Sequence, residues 1–171
     1  RGRGGAGGVA DGVPLTFTLA IVDVASRAPL AGAAVYAWHC DAEGRYSMYS
    51  DGVIEENYLR GVQETDASGT VEFTSVFPGC YDGRWPHIHF EVYSSLADAT
   101  SSGPIVKTSQ IALPKEACDV VYATAGYESS VSNLASTSLT RDMVFGDDGG
   151  IHQIATMSGD ASNGYTAALA I

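Results

Sequence analysis

Lysine is nearly absent from this chain: Lys107 and Lys115 are the only two in 171 residues. Nine Lys+Arg stand against twenty Asp+Glu, giving a formal net charge of −11. A balance so poor in cations argues against a nucleic-acid backbone as partner. It favours solubility and weakly repels anionic substrates at a distance. No stretch approaches eighteen consecutive apolar residues, so no membrane-spanning helix is expected. Cysteine is scarce: Cys40, Cys80 and Cys118 fit no zinc spacing and leave either one disulfide and one thiol or three thiols. The sequence begins at Arg1 without methionine and without a visible signal peptide, and a trimmed piece of a longer product is expected. Acidity and low lysine together point to secretion.

What is present is small, apolar and glycine-rich. Hydrophobic residues make up 45%, and 171 residues suit one domain with a real core. Residues 1–13 contain RGRGGAGG and lack periodicity, which reads as a flexible arm or linker; residues 14–171 read as one domain. Leu15–Val24, Ala33–His39, Thr70–Phe73, His87–Tyr93 and Ile105–Leu113 are rich in β-formers and bounded by Gly or Pro turns. Three more strands are expected at Arg141–Phe145, Ile151–Met157 and Tyr165–Ile171. Lys115–Tyr122, opened by Pro114, carries one or two helical turns, and Ser129–Ser138 reads as a loop or broken helix. The pattern predicts an all-β fold: an antiparallel β-sandwich with long active-site loops and little helix. Residues 40–66 form a long polar connection, and a loop of that length in a compact domain is usually functional.

Two of the four histidines, His87 and His89, sit within seven residues of β-forming sequence. Side chains i and i+2 of a strand leave the same face, so the imidazoles emerge together. Such a pair is costly to bury unless something ties it together, and a metal does so well. Chance and surface histidines also produce an isolated His-x-His. Tyr81 and Arg84, within eight residues of it, strengthen the functional reading.

Trp38-His39-Cys40-Asp41-Ala42-Glu43-Gly44-Arg45-Tyr46 resembles the W-x-x-[DN]-x-x-G-x-Y segment of the intradiol ring-cleavage dioxygenases, the catechol and protocatechuate enzymes. Leu59-Arg60-Gly61, Thr65-Asp66-x-x-Gly69, Phe77-Pro78-Gly79-x-Tyr81, Arg84-x-x-His87-Ile88-His89-Phe90 and Ser109-Gln110-Ile111 follow in the same order as in that family. The likeness spans about residues 14–112, and the tail is similar to the shorter, often secreted relatives. Two features depart from it. Trp85-Pro86 stands where Pro-Ala is usual, and only five residues separate Tyr81 from His87, which implies a more open pocket mouth. The helical N-terminal region used by catechol-cleaving relatives to dimerise is not seen, so a monomer is expected.

The resemblance implies a non-haem Fe(III) held by Tyr46, Tyr81, His87 and His89, with Tyr49 a weaker candidate in the first loop. Phenolates are hard anionic donors that offset the charge of Fe(III), and imidazole suits iron. The implied substrates are a small aromatic diol and O2, and the implied product is a cis,cis-muconate-type diacid. The same resemblance gives Tyr81 a catalytic role, as the phenolate that yields to the diol and takes its proton. It places Arg84 beside the bound ring as a permanent charge. Gln110 is a candidate to hydrogen-bond a reacting oxygen, and equally an ordinary strand glutamine. Trp85 and Tyr49 are candidate substrate contacts, Trp85 being equally a packing residue, and His39 and His152 read as non-ligands. A Cys80–Cys118 disulfide would brace the Tyr81 loop, and a Cys40–Cys80 pair is the alternative. Plant-derived aromatics such as lignin fragments fit an open, exported enzyme.

Two other readings compete. A metal-free β-sandwich module binding carbohydrate or protein would share the strand pattern. An Fe(II) or zinc enzyme would pair His87 and His89 with a carboxylate such as Asp82 or Glu91.

Overall fold

The computed structural model describes residues 6–171. Of the stretch read as an arm, residues 1–5 lie outside the described residues. The remainder is fastened at both ends: the Gly8 N–H donates to Glu56 Oε2 (2.7 Å), and Val13 is buried.

Among the described residues eight strands form two four-stranded sheets. One has the order β4-β1-β8-β7, from Thr70–Val76 (β4), Pro14–Ala20 (β1), Gly164–Ala170 (β8) and Thr156–Asp160 (β7). The other has the order β3-β2-β5-β6, from Arg60–Glu64 (β3), Ala34–Trp38 (β2), His87–Tyr93 (β5) and Ile105–Ala112 (β6). Both sheets contribute to one buried cluster. Leu15, Phe17 and Leu19 of β1 join it with Val35 and Ala37 of β2 and Ile88, Phe90 and Val92 of β5. The period-2 alternation of each strand sends those residues inward and their neighbours outward. In β5 the outward set is His87, His89, Glu91 and Tyr93.

The all-β expectation holds, with corrections. The sheets are not wholly antiparallel: β1 and β8 pair in parallel, Leu15 opposite Tyr165 and Ala20 opposite Ala170. A parallel pair needs a long crossover, and here it is the intervening chain, which brings the first and last strands side by side. The expected strand at Arg141–Phe145 is instead a 3₁₀ turn (Leu139–Arg141) followed by a loop. The Asp142 carboxylate accepts from the N–H groups of Val144 (2.8 Å) and Phe145 (3.3 Å), a local pattern that competes with a sheet ladder.

Strand β3 was hidden inside the long polar connection, where Gly61 and charged residues mask the alternation. Ser129–Ser138 is not broken: Glu128–Ser136 is a regular helix (α3), seated through buried Ser130 and Leu134. Two shorter helices precede it, α1 at Leu96–Ala99, capped by the Ser95 side chain, and α2 at Lys115–Val121, entered through Pro114. Among the described residues no helix is long and apolar enough to cross a membrane.

Candidate active site

The outward face of the second sheet carries the site. Trp38 lies opposite His89 on β2, and Gln110 lies opposite it on β6. The Trp38 ring stacks on the His89 imidazole, centroids 4.7 Å apart and planes 6° from parallel, which sets the ring's tilt. His87 is 2% exposed, and its Nδ1 donates to the Trp85 carbonyl (2.5 Å). That bond places the proton on Nδ1 and turns the Nε2 lone pair inward.

Two loops bring the tyrosines over the histidines. The first runs from β2 to β3 and is folded around Asp41. The Asp41 Oδ1 accepts from Glu43 N (3.0 Å) and Arg45 N (2.9 Å), and Oδ2 from Tyr58 OH (3.1 Å) and Arg45 Nε (3.0 Å). Tyr46 follows at once, its N–H held by Ser50 Oγ (2.9 Å). The second loop, between β4 and β5, lies directly against the first. Gly79 N donates to the Asp41 carbonyl (3.0 Å), and a Cβ at position 79 would collide with the Ala42 carbonyl. Only glycine permits that approach.

The chain after β6 latches the second loop from behind. Tyr122 OH donates to the Pro78 carbonyl (3.0 Å), Tyr127 OH to the Phe77 carbonyl (2.8 Å) and Asn133 Nδ2 to the Cys80 carbonyl (2.8 Å), while Ser130 Oγ accepts from Cys80 N (2.8 Å). Tyr81 is thus carried on a backbone whose polar groups are held by α3 and the turn before it. No motif marked these residues; the helical spacing of Ser130 and Asn133 was the one signal.

Four polar atoms converge. Tyr46 OH lies 3.3 Å from Tyr81 OH, 3.3 Å from His87 Nε2 and 3.1 Å from His89 Nε2; His87 Nε2 lies 3.2 Å from Tyr81 OH and 3.1 Å from His89 Nε2. Hydrogen bonding alone does not explain this. His87 Nε2 has one lone pair, yet Tyr46, Tyr81, His89 and (at 3.5 Å) Arg84 Nη1 all surround it. Donors about 2.0–2.1 Å from a common centre in a tetrahedral arrangement stand roughly 3.3–3.4 Å apart, and these separations come close to that. Two phenols and two imidazoles are a donor set for a hard, highly charged ion, so the residues fit iron.

The electrostatics agree. Burial, then the nearby Arg84 charge, lowers His87 to about 3, and the same two causes lower His89 to about 4. Both imidazoles are neutral near pH 7, as ligands must be. Burial pushes both tyrosine hydroxyls up, Tyr46 far more strongly than Tyr81, whose rise Arg84 moderates. Without a cation the pair stays protonated.

Arg84 sits beside this cluster, 13% exposed at its side chain. Its Nε donates to Asp142 Oδ2 (2.9 Å) and its Nη2 to Gln110 Oε1 (2.6 Å), which leaves Nη1 toward His87. Burial alone would raise the Asp142 carboxyl, but hydrogen bonds from Arg84, Trp85 and Val144 outweigh it and hold it below the usual carboxylate range. No sequence motif points to Asp142, which lies 58 residues from Arg84.

Other candidates lie elsewhere. Trp85 is a core residue, 5% exposed, with its indole N–H on the Leu113 carbonyl (2.9 Å). Tyr49 is 69% exposed, its ring under the Arg60 guanidinium at 4.7 Å and outside the four-atom cluster. His39 is 3% exposed with both ring nitrogens bonded, to the Cys40 carbonyl and Ser75 Oγ (each 2.7 Å), while His152 is exposed. Glu91 accepts from Tyr93 OH (2.7 Å), Asp82 is exposed, and among the described residues no group of three His, Cys, Asp or Glu could hold a metal. The three cysteines are buried free thiols, so neither expected disulfide is formed. A cleft of about 780 Å³ lies on another part of the surface, lined by Val24, Leu30, Val106, Val144 and His152 among others.

Known proteins share this architecture. A family model described as Dioxygenase matches residues 5–88. A catechol 1,2-dioxygenase from Acinetobacter lwoffii is 32% identical over 88 aligned residues, covering 40% of this chain and 28% of that protein. A chlorocatechol 1,2-dioxygenase from Rhodococcus opacus is 32% identical over 68 residues, covering 40% of this chain and 26% of that protein. The matches thus span about a quarter of those curated relatives. The solved intradiol ring-cleavage dioxygenase of Tetranychus urticae is 28% identical, with a TM-score of 0.79 over 95% of this chain and 81% of that one. The family model, the aligned segments and a fold shared over nearly the whole length make the chain similar to the intradiol ring-cleavage dioxygenases.

Proposed function

We propose that this protein is a non-haem Fe(III) intradiol dioxygenase that opens catechols with O2 between the two hydroxylated carbons. The observation that carries this reading is the convergence of Tyr46, Tyr81, His87 and His89, with five of their six pairwise separations at 3.1–3.3 Å. Those four side chains would hold the ion. When bound, Fe(III) would draw electron density from a chelated catecholate and open its ring to O2.

The chain's own groups would do the rest. His87 and His89 are neutral and pre-aimed, His87 by the Trp85 carbonyl and His89 by the Trp38 ring. A catechol must lose two protons to bind as a dianion; Tyr81 would take one on its phenolic oxygen and a hydroxide would take the other. Burial raises the Tyr81 hydroxyl less than that of Tyr46, and the Arg84 charge offsets part of the rise. Arg84 Nη1, 3.5 Å from His87 Nε2, would stabilise the negative charge that builds on the ring. Gln110 holds the other Arg84 nitrogen and so fixes the plane of the fork. A two-sheet sandwich would support this face from behind. A secreted location is part of the same proposal, supported by the acidic, lysine-poor composition, and plant-derived catechols are the substrates that such an exported enzyme with a short Tyr81–His87 connection would meet.

The reaction balances as catechol plus O2 giving one ring-opened diacid. The test is product analysis of the iron-loaded protein with catechol under ¹⁸O2. A cis,cis-muconate carrying both labelled atoms supports the reading. No O2 uptake above the iron-free control overturns it.

A further inference from the structure

We propose that Asp142 is a positioning residue for the site, aiming Arg84 at the cluster and holding the backbone that aims His87; the inference rests on the reading of the site given above. Asp142 comes from a part of the chain that no site motif touches, after α3 and the 3₁₀ turn. Its side chain is 0% exposed. One oxygen, Oδ2, accepts from Arg84 Nε (2.9 Å) and from the Trp85 N–H (2.7 Å). The other, Oδ1, accepts from Val144 N (2.8 Å), Phe145 N (3.3 Å) and, at 3.4 Å, Arg84 Nη2.

Two consequences follow from that geometry. A guanidinium is a rigid planar fork, so fixing Nε on Asp142 and Nη2 on Gln110 fixes where Nη1 points. The remaining nitrogen is the one 3.5 Å from His87 Nε2. The peptide between Trp85 and its neighbours is also held. Asp142 binds the Trp85 N–H, and the Trp85 carbonyl takes the His87 Nδ1 proton. One carboxylate therefore reaches the cluster by two routes, one through a cation and one through a ligand's hydrogen-bond partner. It also supplies the negative charge that lets a guanidinium stand beside two neutral imidazoles in a mostly buried place.

A purely structural Asp142 would be served by its loop N–H groups and would not need Arg84. The two roles separate in a cycle of Asp142→Asn, Arg84→Gln and the double variant. In the iron-loaded protein, kcat for catechol is expected to fall at least tenfold in each single variant. Asp142→Asn added to Arg84→Gln is expected to cost no more than a further twofold, because the amide oxygen that Asp142→Asn introduces still accepts from the Trp85 N–H and the cation that the carboxylate aims is already gone. A second readout uses the metal-free protein. The Arg84 Nε–H, protected by a buried carboxylate in the wild type, is expected to exchange with solvent at least tenfold faster in Asp142→Asn, read by ¹H–¹⁵N NMR. Effects on kcat that multiply in the double variant, or an Arg84 Nε–H exchange rate unchanged by Asp142→Asn, would overturn the proposal. Should Asp142→Asn alone fail to fold, Arg84→Gln against the double variant still decides it, since that pair exchanges a buried ion pair for neutral partners. Should the wild type itself turn over no catechol, the proposed activity falls, and the exchange measurement decides the clamp by itself.

Discussion

His87 Nδ1 lies 2.5 Å from the carbonyl oxygen of Trp85, and this one bond decides which nitrogen faces the four-atom cluster. A carbonyl only accepts, so Nδ1 carries the proton and Nε2 is bare. Nitrogen-15 NMR of the metal-free protein at pH 7 is expected to show His87 as the neutral Nδ1–H form. A neutral Nε2–H form, or an imidazolium at that pH, would contradict the placement.

Gly79 is where the two tyrosine loops touch. A Cβ there would strike the Ala42 carbonyl and lie 3.0 Å from the Asp41 carbonyl, and backbone cannot swing aside as a side chain can. Gly79→Ala is expected to push the Tyr81 loop from the Tyr46 loop and weaken Fe(III) retention at least tenfold, measured by iron content after dialysis against a chelator. Retention equal to wild type would show that the close approach is not needed.

Tyr127 bridges the two ends of the domain's first half. Its hydroxyl accepts from Val13 N (3.0 Å) and donates to the Phe77 carbonyl (2.8 Å), with the residue 1% exposed. Tyr127→Phe removes one oxygen and leaves two buried backbone groups without partners, at about 1–3 kcal/mol each. Urea unfolding is expected to show a loss of about 2–4 kcal/mol with an unchanged slope. A loss under about 0.5 kcal/mol would mean that water replaces the hydroxyl.

His39 carries a pH dependence separate from the site. Burial lowers it to about 4 from the model-peptide value of 6.5. The unfolded chain therefore binds more protons between those values, so stability is fully present above pH 6.5 and declines as pH falls toward 4. A shift of that size corresponds to about 3 kcal/mol. Thermal unfolding across this range is expected to be steeper in pH for the wild type than for His39→Gln. Equal slopes would place the acid sensitivity elsewhere.

The central strands were legible because their signals are local. His87–Tyr93 alternates in type, and its period alone put His87 and His89 on one face. Tyr46 and Tyr81 were legible through the order and spacing of their segments. Asp142 and Asn133 were not, since a loop aspartate and a helical asparagine carry no periodic mark of a partner more than fifty residues away. Strand β3 was lost because its polar residues face outward on the edge of its sheet, where burial does not enforce alternation. The parallel β1–β8 pair was likewise invisible: two good strand patterns do not state their relative direction.

The measurement closest to the central claim is the visible absorption spectrum of the Fe(III)-loaded protein, taken before and after anaerobic addition of catechol. Coordination by Tyr46 and Tyr81 predicts a broad tyrosinate-to-iron band, weakened in Tyr81→Phe and moved to longer wavelength by catechol. A protein that binds no iron and stays colourless after reconstitution would contradict the account and leave a metal-free binding module in its place.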